Sequence, residues 1–373
     1  MSTAYIVDYL RSPFTPAYRG ALAGTRPDDL VAGVIKALVD RSGVDPAEIE
    51  DVNLGCAFPE GEQGLNIARC AALIAGLPQS VGGSTVNRWC GSSMQAIQMA
   101  AGAIAMGAGD VFVAGGVENM SRVPMMGFNP MPNPGWSDVQ RLAFLNMGLT
   151  AENLADRYSL SREEQDAYSL ESQKKALAAR ADGRLAAEIA PVGDVTADGC
   201  PRETDAAKLA GLKTAFKAGG SVTAGNSSPL TDGASATLIC SEAFVNRHGL
   251  KPLARIAGYA VAGCAPEIMG IGPVEATRKA LSRAGIRNTD LDVIEMNEAF
   301  ASQVLACCRD LDIDPKSLNR DGGAIALGHP LGATGTKLMA TLIHALKARG
   351  KRYGLQTMCE GGGIANASII EVL

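Results

Sequence analysis

Two stretches of this chain follow one plan. In the first, Cys90 ends a presumed strand, a helix rich in Ala, Gly and Met follows, and the apolar strand Val111-Phe112-Val113-Ala114 runs into Gly115-Gly116. In the second, His329 lies in a glycine-rich turn, a small-residue helix runs from about Gly332 to Ala348, and the strand Tyr353-Gly354-Leu355-Gln356-Thr357-Met358 delivers Cys359. Strands alternating with helices argue for an α/β layer rather than a sandwich or a bundle. The halves read as a duplicated unit with reactive residues at matching loop ends, which is where α/β folds place ligands.

Other elements fit this plan. A helix opens at Pro27-Asp28-Asp29, with Leu30, Val34, Ile35 and Leu38 at helical spacing and Pro in a favourable early position. A strand follows at Asp51-Val52-Asn53-Leu54-Gly55. Between the halves the character changes: residues 123–134 are crowded with Pro, Met, Gly and Asn, and Ser161-Arg162-Glu163-Glu164-Gln165 predicts a capped, charged, solvent-exposed helix. We therefore expect an N-terminal half over residues 1–120, completed by about 219–245, an inserted lid over 121–218, and a C-terminal half over 246–373.

Composition narrows the class. The 373 residues suffice for more than one core, and 47% hydrophobic with 20% charged residues describes a globular protein. A net charge of −5 argues against nucleic-acid binding, which calls for a basic domain or stripe. Nine cysteines without a Cys-x-x-Cys pair suit neither a disulfide framework nor zinc, so no metal is expected and the chain reads as reduced and cytoplasmic. Its start runs straight into Ala4-Tyr5-Ile6-Val7 without a signal-peptide pattern, and no apolar run approaches the roughly 20 residues of a membrane span.

Cys90 in Val86-Asn87-Arg88-Trp89-Cys90-Gly91-Ser92-Ser93-Met94-Gln95-Ala96 has two readings. A helix N-terminus would bias its thiol toward thiolate, the form a nucleophile needs. A buried cysteine capped by Ser92 and Ser93 is the other, and the run alone leaves both open. Three later segments weigh on the choice: Asn297-Glu298-Ala299-Phe300, the run from Gly322 to Gly335 around His329, and Cys359-Glu360-Gly361-Gly362-Gly363.

Together with the Cys90 run these segments resemble the thiolase family. The resemblance extends from Arg11-Ser12-Pro13-Phe14 through Gly115-Gly116-Val117-Glu118-Asn119-Met120-Ser121 and Thr223-Ala224-Gly225-Asn226-Ser227-Ser228 to the C-terminus, and is greatest to its bacterial fatty-acid-degrading acetyl-CoA acyltransferases. It implies a layered αβαβα core with a lid over the CoA groove. The implied reaction is cleavage of a 3-ketoacyl-CoA by CoA to acetyl-CoA and a shortened acyl-CoA, or the reverse condensation. By the same resemblance Cys90 carries the acyl group, Cys359 moves the proton at carbon, and His329 activates Cys90. Asn297 and His329 then serve one oxyanion, and the N–H groups of Cys90 and Gly361 the other.

The resemblance further places Ser228 on the pantetheine, Arg202 near the adenine phosphate, and Met147, Met269 and Phe300 around the pocket. For Arg202 the local spacing is about one residue off, and Met or Phe at helical spacing also suits plain core. His248 and His344 read as surface or core histidines, and Cys307-Cys308 as core. Glu360 departs from the apolar residue common after the second cysteine and is expected to alter the local field. CoA and acyl-CoA are expected as substrates with no tightly bound cofactor, in a homodimer or homotetramer with a possible hydratase–dehydrogenase partner. The segment Gly82-Gly83-Ser84-Thr85-Val86-Asn87 is the expected pairing edge.

Other readings stay in view. One is an acetoacetyl-CoA-forming biosynthetic thiolase. A non-catalytic acyl-CoA-binding subunit would not need Cys90, Asn297, His329 and Cys359 together. A ketoacyl synthase would pair its cysteine with two histidines, and a papain-like hydrolase would leave Cys359 unexplained.

Overall fold

The computed structural model describes residues 2–373. Its strands are β1 (Ala4–Arg11), β2 (Thr15–Pro16), β3 (Asp51–Gly55), β4 (Ser84–Val86), β5 (Val111–Asn119), β6 (Thr231–Ser241), β7 (Ala254–Gly263), β8 (Val293–Met296), β9 (Tyr353–Glu360) and β10 (Ile364–Val372). They form one sheet in the order β4-β3-β5-β6-β1-β7-β10-β9-β8, with β2 on β6.

The duplication is visible in the pairing. In the first half β1 is antiparallel to β6, β6 antiparallel to β5, and β5 parallel to β3. In the second, β7 is antiparallel to β10, β10 antiparallel to β9, and β9 parallel to β8. The halves join where Tyr5 faces Arg255 and Ile6 faces Ala254. Every residue of β5 and β6 is buried, as expected of strands covered on both faces.

Helices sit where their apolar stripes find cover. Pro27–Ser42 begins at its proline, ends on left-handed Gly43, and buries Leu30, Val34, Ile35 and Leu38 against the outer face of the first half. Ser92–Met106 and Thr334–Ala348 lie at the centre: Ile97 and Ile104 of one share a cluster with Met339, Ile343 and Leu346 of the other, with Ile6 and Ile239 from the first half and Val293 and Ile370 from the second. Small residues allow this approach, since a Cβ on Gly335 would collide with the backbone nitrogen of Met94. Helices Gly272–Ala284 and Ala301–Leu311 cover the outer face of the second half. The result is an αβαβα layering. The helix after His329 begins at Thr334 rather than Gly332, because Leu331–Ala333 winds as a 3₁₀ turn.

Residues between β5 and β6 contribute helices and only isolated bridges, such as Arg11–Ile189. Two buried charge sites tie them to the core. Arg11, fully buried, pairs with Glu188 at 2.7 Å and Asp198 at 2.6 Å. Removing one partner of such a pair leaves an uncompensated buried charge and costs about 3–5 kcal/mol. Glu298 accepts from Tyr168 Oη at 2.8 Å and Ser172 Oγ at 2.7 Å on the helix Arg162–Ala181. That helix has the expected Ser161–Glu164 capping box. Its charged side is exposed as expected, with Glu163, Glu164, Glu171 and Lys174 in solvent, whereas Gln165, Ser169, Ser172, Gln173, Ala176 and Ala179 form a buried opposite face. Among the described residues no helix is long and apolar enough to cross a membrane.

Candidate active site

The nucleophile candidate sits on a strained turn. After β4 the chain enters a 3₁₀ turn at Trp89–Gly91, with Trp89 at φ +47°, a left-handed conformation that a bulky residue holds only under constraint. Two contacts supply the constraint. Ser92 Oγ accepts from Arg88 N at 2.9 Å and donates to Trp89 O at 2.6 Å, and the Trp89 ring packs on Phe58 with centroids 5.6 Å apart. Cys90 is 9% exposed, in an apolar cluster with Phe58, Met94, Met120, Leu331 and Met358.

The expected bias of Cys90 toward thiolate does not hold in this resting site. Burial first, then the carboxyl of Glu360, pushes its pKa up to about 12, while hydrogen bonds from the N–H groups of Gly361 and of Cys90 itself pull it down. Tertiary burial outweighs these donors. The same two N–H groups favour a charged sulfur, as donors beside an acyl-cysteine oxygen would favour a charge there.

His329 is held in one tautomer. Its Nδ1 lies 2.7 Å from Thr334 Oγ1, and that hydroxyl gives its single proton to Pro330 O at 2.9 Å. This set of contacts is satisfied with the hydrogen on Nδ1 and with Nε2 unprotonated, facing the Asn297 Nδ2 donor at 3.2 Å. Burial lowers the His329 pKa to about 3, so the ring is neutral and Nε2 is a free base at neutral pH. Asn297 follows directly on β8, with its N–H on Thr357 O at 3.0 Å, and its side-chain Oδ1 meets no donor among the described residues.

Cys359, fully buried near the end of β9, has a pKa raised well above the ordinary thiol value by burial and then by Cys90. Met147, Met269 and Phe300 form one apolar cluster with it. Ser228 joins from the side, its N–H on Ala299 O at 3.0 Å. Arg202 stays apart: it is exposed, with its guanidinium 3.4 Å from Ala224 O. Past Gly361, Gly362 and Gly363 take φ of +80° and +84°, and a Cβ on Gly363 would stand 2.5 Å from Cys264 O, so this turn requires glycine.

Sequence reading missed two residues of the site. Thr334 at a helix start reads as a cap, and only the fold shows it under His329. Glu118, buried in β5, accepts from Ala57 N at 2.8 Å, Phe58 N at 3.2 Å, Gln63 Nε2 at 2.8 Å and Gly332 N at 2.9 Å, tying the loop beside Trp89 to the turn after His329. A lone acid after seven buried strand residues was its only signal. No group of three metal-binding side chains occurs among the described residues.

Two buried thiols, one neutral imidazole and nearby backbone N–H groups are the kinds of group that thiol-dependent acyl transfer with proton movement at carbon uses. Residues 4–243 match the thiolase N-terminal domain and residues 250–372 the thiolase C-terminal domain. The chain belongs to the thiolase family, and its chemistry is thiolase-type acyl transfer. It is 44% identical to a 3-ketoacyl-CoA thiolase of Bacillus subtilis over the full length of both chains. A 3-ketoacyl-CoA thiolase of Vibrio cholerae is 47% identical, again over 100% of both. Among solved structures, the Bacillus anthracis acetyl-CoA acetyltransferase superposes with a TM-score of 0.92 at 42% identity, covering 100% of this chain and 99% of that one.

Proposed function

We propose that this chain cleaves 3-ketoacyl-CoA with free CoA through an acyl group on Cys90. His329 Nε2 takes the Cys90 proton, and the sulfur attacks the C3 carbonyl. The C2–C3 bond then breaks, leaving a shortened acyl thioester on Cys90 and the enolate of acetyl-CoA. Cys359 protonates that enolate at carbon and then takes the proton of the CoA thiol, whose sulfur attacks the acyl thioester; the Cys90 thiolate leaves and regains its proton from His329. Asn297 and His329 serve the enolate oxygen, while the N–H groups of Cys90 and Gly361 serve the acyl oxygen. The packing of the Cys90 turn on the Cys359–Gly361 end of β9, where Gly91 leaves room for Glu360 and Gly361 lies against the Trp89 ring, with His329 paired to Asn297, is the observation that carries this reading. His329→Ala and Asn297→Ala are each expected to lower kcat by on the order of 10² to 10³, as loss of an oxyanion donor does; changes within a few-fold would remove them from that role.

Chain length favours the degradative branch over an acetoacetyl-CoA-forming enzyme. The Pro- and Met-rich stretch of the lid contributes Met126, Met131 and Phe144 to a cavity of about 560 Å³ whose far wall is Phe58 and Trp89. Those two aromatic residues share the apolar cluster of Cys90, which supports a tail lying along them. Beside Met147 stands Asn146, where acetoacetyl-specific relatives tend to carry histidine. Each buried methylene adds about 0.8 kcal/mol. We expect kcat/KM for 3-ketooctanoyl-CoA to exceed that for acetoacetyl-CoA, and a tenfold preference for acetoacetyl-CoA would reverse the assignment.

CoA and acyl-CoA enter this scheme as substrates, with Ser228, Met147, Met269 and Phe300 along the pantetheine and acyl path and Arg202 at the rim toward the adenine phosphate. No tightly bound cofactor is required, and the working location is the cytoplasm. A homo-oligomer fits β4, which lies at the sheet edge paired only to β3. Light scattering at micromolar concentration is expected to give a dimer or tetramer, and a monomer mass would refute this. A hydratase–dehydrogenase partner would feed such an enzyme.

A further inference from the structure

Glu360 has no part in the scheme above, yet it lies against the nucleophile turn. Strand alternation sends it to the face of β9 opposite Cys359. There it is fully buried, and neither carboxyl oxygen meets a hydrogen-bond donor among the described residues. A Cβ on residue 91 would collide with Glu360 Oε1 and stand 3.0 Å from Asn366 Oδ1, so Gly91 leaves the space that this carboxyl fills. Asn366 Oδ1 and Arg88 Nε, which border the same space, are also buried without partners. Asn366 Nδ2 reaches Gly91 O at 3.5 Å. An unpaired carboxylate is far costlier to bury than a carboxylic acid, and the acid form brings a proton that an orphaned amide oxygen can accept.

We propose that Glu360 is a positioning residue for Cys90: its uncharged carboxyl packs the nucleophile turn against β9 and β10, and the two groups oppose each other's ionisation. The proposal rests on Cys90 as nucleophile and explains how a site with a carboxyl beside the reactive thiol still works near neutral pH, since an ionised Glu360 would suppress the thiolate. Burial keeps the Glu360 pKa well above the usual carboxylate range, with Arg88 opposing, and Glu360 in turn raises both Cys90 and Cys359. The other titratable groups bearing on Cys90 are Cys359 on β9, Glu118 on β5, held by four N–H donors, and His329, neutral above about pH 3.

Two mutually opposed groups titrate in two stretched steps, whereas a solitary thiol titrates in one. The test is the pH dependence of iodoacetamide labelling at Cys90, read on its own peptide by mass spectrometry, in Cys359→Ala and in Cys359→Ala/Glu360→Gln. Cys359→Ala removes the second thiol from the curve. The parent is expected to show a rise spread over two steps, and the Gln variant a single one-proton rise that matches the parent at pH 7, where the carboxyl is uncharged, and exceeds it about tenfold across the parent's second step. Glu360→Ala in the same background is the second variant and should give the same single step. A stretched curve that survives in either variant belongs to Glu118 and overturns the proposal, as do parent and variant curves within twofold of each other. Labelling needs no turnover, so this outcome is separate from whether Cys90 carries an acyl group.

Discussion

Cys90→Ser is expected to abolish turnover, with a loss on the order of 10⁴-fold or more, because everything else in the site is arranged around that sulfur. A hydroxyl in the same place meets the same Gly361 and Cys90 N–H donors and the same His329 base, but it is a far weaker nucleophile at the pH where His329 is neutral. The substitution removes no large volume from the apolar cluster of Phe58, Met94 and Met358, so the thermal midpoint should stay within a few degrees of the parent. Steady-state thiolysis and a melting curve on one preparation check both halves of the expectation. Residual turnover within tenfold of the parent would take the nucleophile's role from Cys90.

Cys359→Ala is expected to separate two steps that the parent couples. Cys90, with its donors and His329, remains, so the variant should take up an acyl group from acyl-CoA. It should fail to exchange the α-protons of acetyl-CoA with deuterated water, with exchange lower by on the order of 10² or more, the usual worth of a placed general acid or base. Exchange at the parent rate in this variant would remove Cys359 from proton transfer at carbon. Its surroundings favour the assignment: the neutral thiol that burial enforces is the form able to give a proton to an enolate.

Much of this was legible in the sequence, and the gaps have physical causes. The periodicity of Leu30, Val34, Ile35 and Leu38 and the proline before them place the first helix, because a helix end and an apolar stripe are local properties. Local sequence says little about where β6 pairs. Thr231–Ser241 follows β5 by more than a hundred residues and still inserts between β5 and β1, a choice made by the whole sheet. The exposed character assigned to the helix Arg162–Ala181 came from its charges, whereas Ser172 and Gln173 are polar residues whose partners, Glu298 and Ile325 O, lie far along the chain.

The same split runs through the candidate site. Residue types and motif order pointed to Cys90, Asn297, His329, Cys359 and Gly361, and the fold brings these segments together from both halves. Their protonation could not be read from spacing. The N–H groups of Gly361 and of Cys90 itself pull the Cys90 pKa down, and burial in a cluster drawn from six separate segments pushes it further up. The tautomer of His329 depends likewise on Thr334, five residues away around a turn.

The most direct measurement of the central claim is a single turnover of the enzyme in excess over 3-ketooctanoyl-CoA without free CoA, quenched in acid and digested for mass spectrometry. The account predicts one hexanoyl group on the Cys90 peptide for each acetyl-CoA released, and its departure as hexanoyl-CoA on adding CoA. A hexanoyl group on Cys359 instead, or acetyl-CoA released with Cys90 unmodified, would contradict it.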